Sequence, residues 1–173
     1  MSSWLQKHLI LSFTFIMVLA GCSGNNQAAA PTAAATTANA DLTGAATIQL
    51  VASEKEPMVE IWVNNVQKLY AVELELTFEA SKLQIVDADS QKEGVQLKPG
   101  VAPVPDFNVK NEVTEGSIHY VVTQIAPREG FNGSGVVATI TLQEKLTDPT
   151  AISIKSAILV NQDGQPITAT IQK

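Results

Sequence analysis

The chain has 173 residues, of which 45% are hydrophobic and 16% are charged, and its 17 acidic residues outnumber 11 basic ones, for a formal net charge of −6. This balance argues against a nucleic-acid partner and against a polybasic membrane-binding face, because both need clustered Lys and Arg. Cys22 is the only cysteine, which excludes an intramolecular disulfide. Any domain must therefore be held together by packing alone.

Residues 1–21 have the layout of a signal peptide. Lys7 and His8 precede an apolar run at residues 9–20, and small residues then lead to Cys22. As a helix this run would rise only about 18 Å, well short of the roughly 30 Å of bilayer hydrocarbon, so a permanent span is not expected. We predict that residues 1–21 direct export and are not part of the fold.

The apolar run ends in Leu19-Ala20-Gly21-Cys22, which resembles the lipobox of bacterial lipoproteins. The resemblance implies that Cys22 is lipidated, becomes the new N-terminus and anchors the chain to a membrane through its acyl chains. The alternative is that Cys22 is incidental and an ordinary signal peptidase cuts nearby. The expected location is extracytoplasmic, at the outer membrane or cell surface. Ser23, where Asp would resemble an inner-membrane retention signal, favours the outer membrane in a two-membrane cell.

The segment after the cysteine predicts a flexible tether. Residues 22–46 are mostly Ala, Thr, Asn and Gly, with Pro31 as a breaker and Asp41 as the only charge. Such a composition cannot form a core. A disordered chain of this length would average roughly 25 to 30 Å end to end. We expect residues 22–46 to link the lipidated cysteine to a domain at residues 47–173.

The period changes to two at residue 47, which predicts a first strand with Ile48 and Leu50 on one face. A second alternation follows the turn at residues 53–57 and places Trp62 on the side opposite Ile61 and Val63. The clearest strand is residues 70–78. Its predicted inward positions are Val72, Leu74, Leu76 and Phe78, and its outward positions are Ala71, Glu73, Glu75 and Thr77.

Further strands are expected at residues 83–86, 117–125, 136–142, 151–160 and 166–171. Asp163-Gly164 predicts a tight hairpin between the last two, and a slip in the apolar period predicts a bulge near Ser156. Residues 87–110 are less regular and are expected to hold a short strand or two joined by loops. Because many short strands occur without a helical period, we predict an all-β fold, a two-sheet jelly-roll sandwich of about nine strands.

The order of motifs in residues 47–173 resembles the cohesin domain, the receptor module of cellulosome scaffolds. One departure is Glu79-Ala80-Ser81-Lys82-Leu83, where the family more often has Tyr-Asp-Pro before its Leu. The other segments that carry the resemblance are Val63-Asn64-Asn65-Val66, Leu69-Tyr70, residues 72–78, Phe107-Asn108, Gly116-Ser117-Ile118, residues 133–140 and Asp163-Gly164-Gln165-Pro166-Ile167.

Resemblance to cohesins implies that one sheet face binds a dockerin, a small calcium-loaded helical module usually appended to a secreted glycoside hydrolase. Family members often carry an Asn and an Asp at the positions of Ala71 and Glu73, so Ala71 departs and Glu73 keeps the acid. Calcium, if needed, is expected on the partner, and no cofactor is expected here. The predicted partner-binding positions are Ala71, Glu73, Glu75, His119, Val121 and Thr123.

Catalytic and metal-binding alternatives are weaker. His119 is the only histidine after residue 21, so a two-histidine metal site or a histidine triad lacks its partners. Asp87 and Asp89 lack the ligand spacing of a calcium loop. Glu73 and Glu75 would lie about 6.5 to 7 Å apart on a flat strand, with no cleft to raise either pKa. We therefore predict neither an enzyme nor a metal site.

Trp62 supports a second hypothesis, a carbohydrate-binding module on a lipid tether. An exposed Trp can stack on a sugar ring or act as a protein hot spot, although residues 87–110 could equally cover it. Modules of that kind usually line up several aromatics, and this chain has few. A third hypothesis is a structural lipoprotein that has lost dockerin binding, because fold does not fix function.

Overall fold

The computed structural model describes residues 44–173, so the predicted signal peptide, Cys22 and nearly all of the predicted tether lie outside the described residues. Within residues 44–173, no helix is long and apolar enough to cross a membrane. Besides the strands, the described part of the chain contains one turn of 3-10 helix, Pro149–Ala151. The strands are β1 (Ala46–Ala52), β2 (Met58–Phe78), β3 (Lys98–Pro99), β4 (Phe107–Thr114), β5 (Ser117–Thr123), β6 (Phe131–Thr141), β7 (Ile152–Asn161), β8 (Pro166–Ile167) and β9 (Ala169–Ile171).

The long strand β2 belongs to both layers of the sandwich. Its first half lies between β1 and β6, and the order of this layer is β3-β6-β2-β1-β9. Its second half lies between β5 and β7, in a layer with the order β4-β5-β2-β7-β8. The crossing falls where Asn65 and Lys68 adopt positive φ angles of 54° and 51°. A single strand therefore joins the two layers, and the nine-stranded β-sandwich predicted from the sequence is confirmed.

The core lies between the layers and consists of aliphatic side chains together with Tyr120. In the second half of β2, Val72, Leu74 and Leu76 are at most 1% exposed, as their alternation predicts, whereas Phe78 is only half-buried at the end of the strand. On β5, Ile118, Tyr120 and Val122 are equally buried and complete the inner face. Because every second residue of both strands is committed to the core, the residues between them must face outward.

The predicted bulge and hairpin are both present. Glu75 pairs with Ser156 whereas Leu76 pairs with Ile154, so Lys155 is the extra residue of a bulge in β7. The turn before β8 is stabilised by Asn161, whose side-chain oxygen accepts hydrogen bonds from the backbone of Asp163 and Gln165 at 2.9 Å. Gly164 takes a φ of +75° there, a conformation that suits glycine.

Several strand predictions need correction: β4 extends to Thr114, β5 ends at Thr123 and β6 begins at Phe131, while β2 is continuous over Met58–Phe78. Residues 83–86 form only an isolated bridge, Ile85 to Leu142, because the segment meets the end of β6 for a single pair instead of running alongside it. Residues 166–171 divide into β8, which pairs with β7, and β9, which pairs in parallel with β1. The final strand therefore changes layers, and its last residues join the first strand of the domain.

Gly100 allows the chain after β3 to pass directly against β6. A Cβ added at residue 100 would lie 2.1 Å from the carbonyl oxygen of Val136, which also accepts hydrogen bonds from Val101 and Ala102. We expect Gly100→Ala to force a backbone shift and to lower the free energy of unfolding by about 1 to 3 kcal/mol, measured by urea denaturation. Gly133→Ala cannot serve as the control, because Gly133 has a positive φ that alanine would adopt only with strain. Ala126→Gly is used in its place and reports how much a substitution in an exposed loop costs by itself.

Asp148 predicts a pH dependence of stability. Hydrogen bonds from the Thr150 hydroxyl, from Lys82 and from the Thr150 backbone lower the pKa of Asp148 from 3.8 to about 2. Because the folded-state pKa is the lower one, this contribution is present above about pH 4 and is lost as the pH falls toward 2. We expect Asp148→Asn to flatten the fall in the denaturation midpoint between pH 4 and 2. An unchanged slope would contradict this assignment.

Candidate functional site

The six predicted partner-binding residues come together as three cross-strand pairs on one outward face. Strands β2 and β5 are antiparallel neighbours, and their register places the predicted residues directly opposite one another. All six side chains are half-buried, as expected for a sheet surface flanked by further strands. The pairs are Ala71 with Thr123, Glu73 with Val121, and Glu75 with His119.

Strands β7 and β4 extend this surface on both sides. We call the outward surface of β7, the second half of β2, β5 and β4 the four-strand face. It contains rows of residues that run across the strands, set by the registers of three neighbouring strand pairs. The rows are Val160-Ala71-Thr123-Phe107, Ile158-Glu73-Val121-Lys110, Ser156-Glu75-His119-Glu112 and Ser153-Thr77-Ser117-Thr114.

His119 is bonded to an acid diagonally across the strand pair. Its Nε2 lies 3.1 Å from Oε1 of Glu73, while Glu75 and Glu112 are its direct neighbours on either side. The His119 side chain is 34% exposed and that of Glu73 is 42% exposed, so both reach solvent and hold each other in place. This is the polar centre of the four-strand face.

Two lysines at the sides of the face form ion pairs with the carboxylates of Glu75 and Glu112. Lys155, the bulged residue of β7, places Nζ 3.1 Å from Oε2 of Glu75, and Lys110 places Nζ 3.0 Å from Oε2 of Glu112. Between these pairs is an open depression of about 280 Å³. That volume is at the lower limit for pockets that enclose small ligands, so this end suits a complementary protein surface better than a buried small molecule.

The opposite end of the four-strand face is apolar. Five large hydrophobic side chains of the described residues are at least half exposed, and four of them lie at or beside this face. The four are Phe107, Val109, Ile125 and Ile158. Exposed apolar side chains on one face make it a candidate interaction surface. Sequence reasoning missed all four as binding residues, although the motif containing Phe107 and the strand ending at Ile125 were both recognised.

A bidentate ion pair borders the apolar end. The carboxylate of Asp106 accepts hydrogen bonds from Arg128 Nε at 2.7 Å and Nη2 at 2.9 Å, and from the backbone N–H of Ile125 at 3.1 Å. These hydrogen bonds lower the pKa of Asp106, and those from Arg128 contribute most. Asp106 precedes Phe107, and Arg128 lies in the turn after β5. The ion pair and the bond to Ile125 therefore hold Phe107 and Ile125 close to each other.

The remaining candidates lie elsewhere. Trp62 is half-buried on the outer surface of the other layer, between Gln49 and Val136, and its Nε1 donates to Glu60 at 2.9 Å. Asp87 accepts hydrogen bonds from the backbone of Asp89 and Gln96, which lower its pKa and make it a loop-stabilising residue. Among residues 44–173, no three His, Cys, Asp or Glu side chains form a group that could hold a metal ion.

The solved structures that resemble this fold include several cohesins. One is a non-cellulosomal cohesin from the archaeon Archaeoglobus fulgidus, at 14% identity and a TM-score of 0.54, covering 74% of this chain and 86% of that one. Another is the type I cohesin of a cohesin–dockerin complex from Clostridium thermocellum, at 15% identity and a TM-score of 0.57, covering 74% and 94%. A third is a type II cohesin from the cellulosome of Acetivibrio cellulolyticus, at 14% identity and a TM-score of 0.53, covering 75% and 93%.

Sequence identities of 14 to 15% establish that the fold is similar, but they do not establish a shared function. A comparison with curated protein sequences gives no significant match. The sequence model of the cohesin domain, however, matches residues 46–172, which is most of the chain and almost all of the described part. Together with the nine-stranded sandwich and the resemblance visible in its motifs, this match shows that the chain belongs to the cohesin domain family.

Proposed function

We propose that this protein is a non-catalytic receptor that binds a dockerin on the four-strand face. The observation that carries the proposal is the composition of that face, where exposed hydrophobic side chains at one end adjoin a compensated cluster of acids, lysines and His119. A rigid sheet surface of this kind keeps fixed polar groups ready for a partner and loses little conformational entropy on binding.

The proposal that the face is a binding surface and not an active site rests on its shape and charges. Glu73 and Glu75 are each bonded to a neighbouring side chain, to His119 and to Lys155 respectively, and each side chain is 42% exposed. A glycosidase acid needs a sheltered cleft. Glu73 and Glu75 instead lie on an open sheet surface, where such a cleft is missing among the residues that surround them.

The choice of a dockerin as partner rests on family membership. Two of the similar structures are described as type I cohesin–dockerin complexes from Clostridium thermocellum, and a third as a type II cohesin with an X-module and dockerin from Acetivibrio cellulolyticus. We propose the same class of partner for this chain, attached to a polysaccharide-degrading enzyme. The archaeal relative described as non-cellulosomal means that the fold also occurs outside cellulosomes.

Calorimetry with purified modules tests this proposal. A panel of type I and type II dockerins, loaded with calcium, is titrated into the full chain, and a stable complex is expected to bury on the order of 1,200 to 2,000 Å². Binding should disappear with a calcium chelator, because a dockerin folds around its calcium. If no dockerin binds, the third hypothesis, a cohesin-like structural lipoprotein without dockerin binding, takes the place of the proposal.

We also propose that Cys22 anchors the protein to a membrane, with the domain on the extracytoplasmic side. The support is the sequence Leu19-Ala20-Gly21-Cys22 at the end of an apolar run. Two or three acyl chains hold a protein far more firmly than one. The test is incorporation of a labelled fatty acid in the native host. Cys22→Ser should abolish labelling and release the protein from the membrane fraction, and labelling that persists would exclude this cysteine.

Carbohydrate binding through Trp62 remains the alternative function. The ring is half-buried and bonded to Glu60, and no other aromatic side chain of residues 44–173 pairs beside it in the sheet. A titration with soluble oligosaccharides, followed by Trp fluorescence, decides the matter because stacking of a sugar would change the emission of Trp62. A flat response over a broad panel, in a protein that binds a dockerin, would remove this alternative.

A further inference from the structure

Two polar side chains of β6 hold the crossing segment, residues 65–68, in which β2 passes from one layer to the other. The N–H of Lys68 donates to Oδ1 of Asn132 at 2.9 Å, and the N–H of Asn65 donates to Oγ of Ser134 at 3.2 Å. Asn65 and Lys68 are also the non-glycine residues of the described chain that have positive φ angles. Both residues that adopt this unfavourable backbone conformation are therefore held by the neighbouring strand.

Asn132 is bonded at both polar atoms of its amide group. While Oδ1 accepts from Lys68, Nδ2 donates to the backbone oxygen of Gly130 at 3.2 Å. The ladder between β2 and β6 is irregular here, with register shifts on either side of the pair Val66–Gly133. Side-chain bonds from β6 thus supplement an interrupted ladder at the place where the two layers are joined.

Asn132 is followed by Gly133, and an Asn-Gly dipeptide can undergo spontaneous deamidation. Asn132 is the only one of the nine asparagines in the chain that precedes a glycine. Glycine has no side chain to keep its main-chain nitrogen away from the side-chain carbonyl carbon of the preceding residue, and asparagine is a thermolabile residue. Asn132 is exposed, and a Cβ at Gly133 would have no heavy atom within 4 Å beyond its chain neighbours, so water reaches the dipeptide.

The reaction needs only water as a co-reactant. The main-chain nitrogen of Gly133 loses its proton to solvent and attacks Cγ of Asn132. The bond between Cγ and Nδ2 then breaks, and ammonia leaves with a proton taken from solvent. Water opens the resulting succinimide ring at either carbonyl, which gives aspartate or isoaspartate at residue 132. One water is consumed and one ammonia is released, with no oxidation or reduction.

We propose that Asn132 is a site of spontaneous deamidation and that the crossing segment controls its rate. The two hydrogen bonds of the amide hold Cγ in one orientation, so attack by the nitrogen of Gly133 requires these bonds to break in a local opening of the structure. The inference does not depend on which partner the four-strand face binds.

The products weaken the connection between the layers. Ionised aspartate at residue 132 still accepts the N–H of Lys68 but has no donor for the backbone oxygen of Gly130. Isoaspartate lengthens the main chain by one methylene, so residue 132 and Ser134 no longer fit the crossing segment together. Because deamidation is irreversible, each opening that leads to reaction leaves a permanent change in the protein.

Peptide mapping by mass spectrometry tests the site. The full chain is incubated in mildly alkaline buffer, either folded or in guanidinium chloride, and the conversion of each asparagine to the acid is followed. Conversion at Asn132 is expected in both samples and should be at least about 10-fold slower in the folded chain. Asn161 is the internal control, because its amide oxygen is also bonded to main-chain N–H groups but Gln162 follows it. Isomerisation at Asp163-Gly164 releases no ammonia, so it leaves the mass unchanged.

Ser134→Ala tests control by the crossing segment. This change removes the acceptor of the Asn65 N–H and leaves the Asn132-Gly133 dipeptide intact. Deamidation should become a few-fold faster in the folded variant and stay unchanged in the denatured one. Ser134→Thr keeps the hydroxyl group and should restore the slower rate.

The melting temperature tests the structural consequence. Asn132→Asp reproduces one product and is expected to lower the melting temperature by a few degrees, because the hydrogen bond to Gly130 is lost. An unchanged melting temperature overturns the weakening of the connection between the layers.

The outcomes for the rate are distinct. Equal rates in the folded and denatured chain overturn control by the crossing segment, and so does a folded Ser134→Ala variant that reacts no faster than the unmodified chain. A denatured chain in which Asn132 converts no faster than Asn161 overturns the site itself.

Discussion

Reversing the charge of Glu73 with Glu73→Lys is expected to weaken dockerin binding by at least about 30-fold, or about 2 kcal/mol. Glu73 is at the centre of the four-strand face, paired with Val121 and bonded to His119 at 3.1 Å. A bound partner would cover this pair, and the substituted ammonium group would then face His119 and any basic group of the partner. The measurement is calorimetric titration with the dockerin that binds the unmodified chain.

Stability should change little in the same variant. The bond between Glu73 and His119 joins two side chains that are at least one-third exposed, and exposed pairs contribute at most about 1 kcal/mol. Glu60→Lys is a close control, because Glu60 is also on β2 and also bonded to a ring nitrogen, that of Trp62, but in the other layer. Equal affinity for Glu73→Lys and Glu60→Lys would remove the four-strand face from the dockerin site.

The alternation of apolar and polar residues was sufficient to predict the centre of this face. In a strand the side-chain period is two, so the buried positions of β2 and β5 determine which residues point outward. What alternation alone could not provide is the register, which sets Glu75 opposite His119 and leaves Glu73 diagonal to it. The hydrogen bond between Glu73 and His119 therefore became visible only in the structure.

The sides of the face were harder to predict because edge strands bury few residues. Strand β4 alternates between exposed and half-buried positions, so its sequence carries no hydrophobic pattern, and its middle contains a bulge between Asn108 and Lys110. It therefore looked like part of an irregular segment. Phe107 and Ile125 were missed for the same reason, since an exposed hydrophobic residue at a strand end has no periodic signal. Only the arrangement in space brings them together.

The last strand was mispredicted because the sequence of residues 166–171 does not specify partners. Pro166 and Ile167 pair with β7, whereas Ala169 to Ile171 pair with β1 in the other layer. The change of layer occurs at Thr168, between two strands of two and three residues. Segments this short are placed by tertiary contacts more than by their own propensity, which a pattern of alternating residues cannot reveal.

Leu74→Ala is expected to lower stability and leave affinity almost unchanged, whereas Glu73→Lys should lower affinity and leave stability almost unchanged, although the two residues are neighbours in the chain. Leu74 is 0% exposed at the centre of the core, opposite Tyr120 on β5 and Ala157 on β7. Its truncation removes buried apolar contacts and leaves a cavity that the two flanking strands cannot close without moving. We expect a loss of about 2 to 5 kcal/mol in the free energy of unfolding, measured by urea denaturation.

Affinity for the dockerin should remain within a few-fold in Leu74→Ala at temperatures where the variant is folded, because the outward side chains on either side of it stay in register. Val101→Ala is the control for aliphatic truncation, since Val101 lies in the other layer, is 61% exposed and should cost under about 1 kcal/mol. A strong loss of affinity in folded Leu74→Ala would mean that the face depends on how tightly the core is packed. Retained affinity with reduced stability would place recognition in the outward residues of β2 and stability in the inward ones.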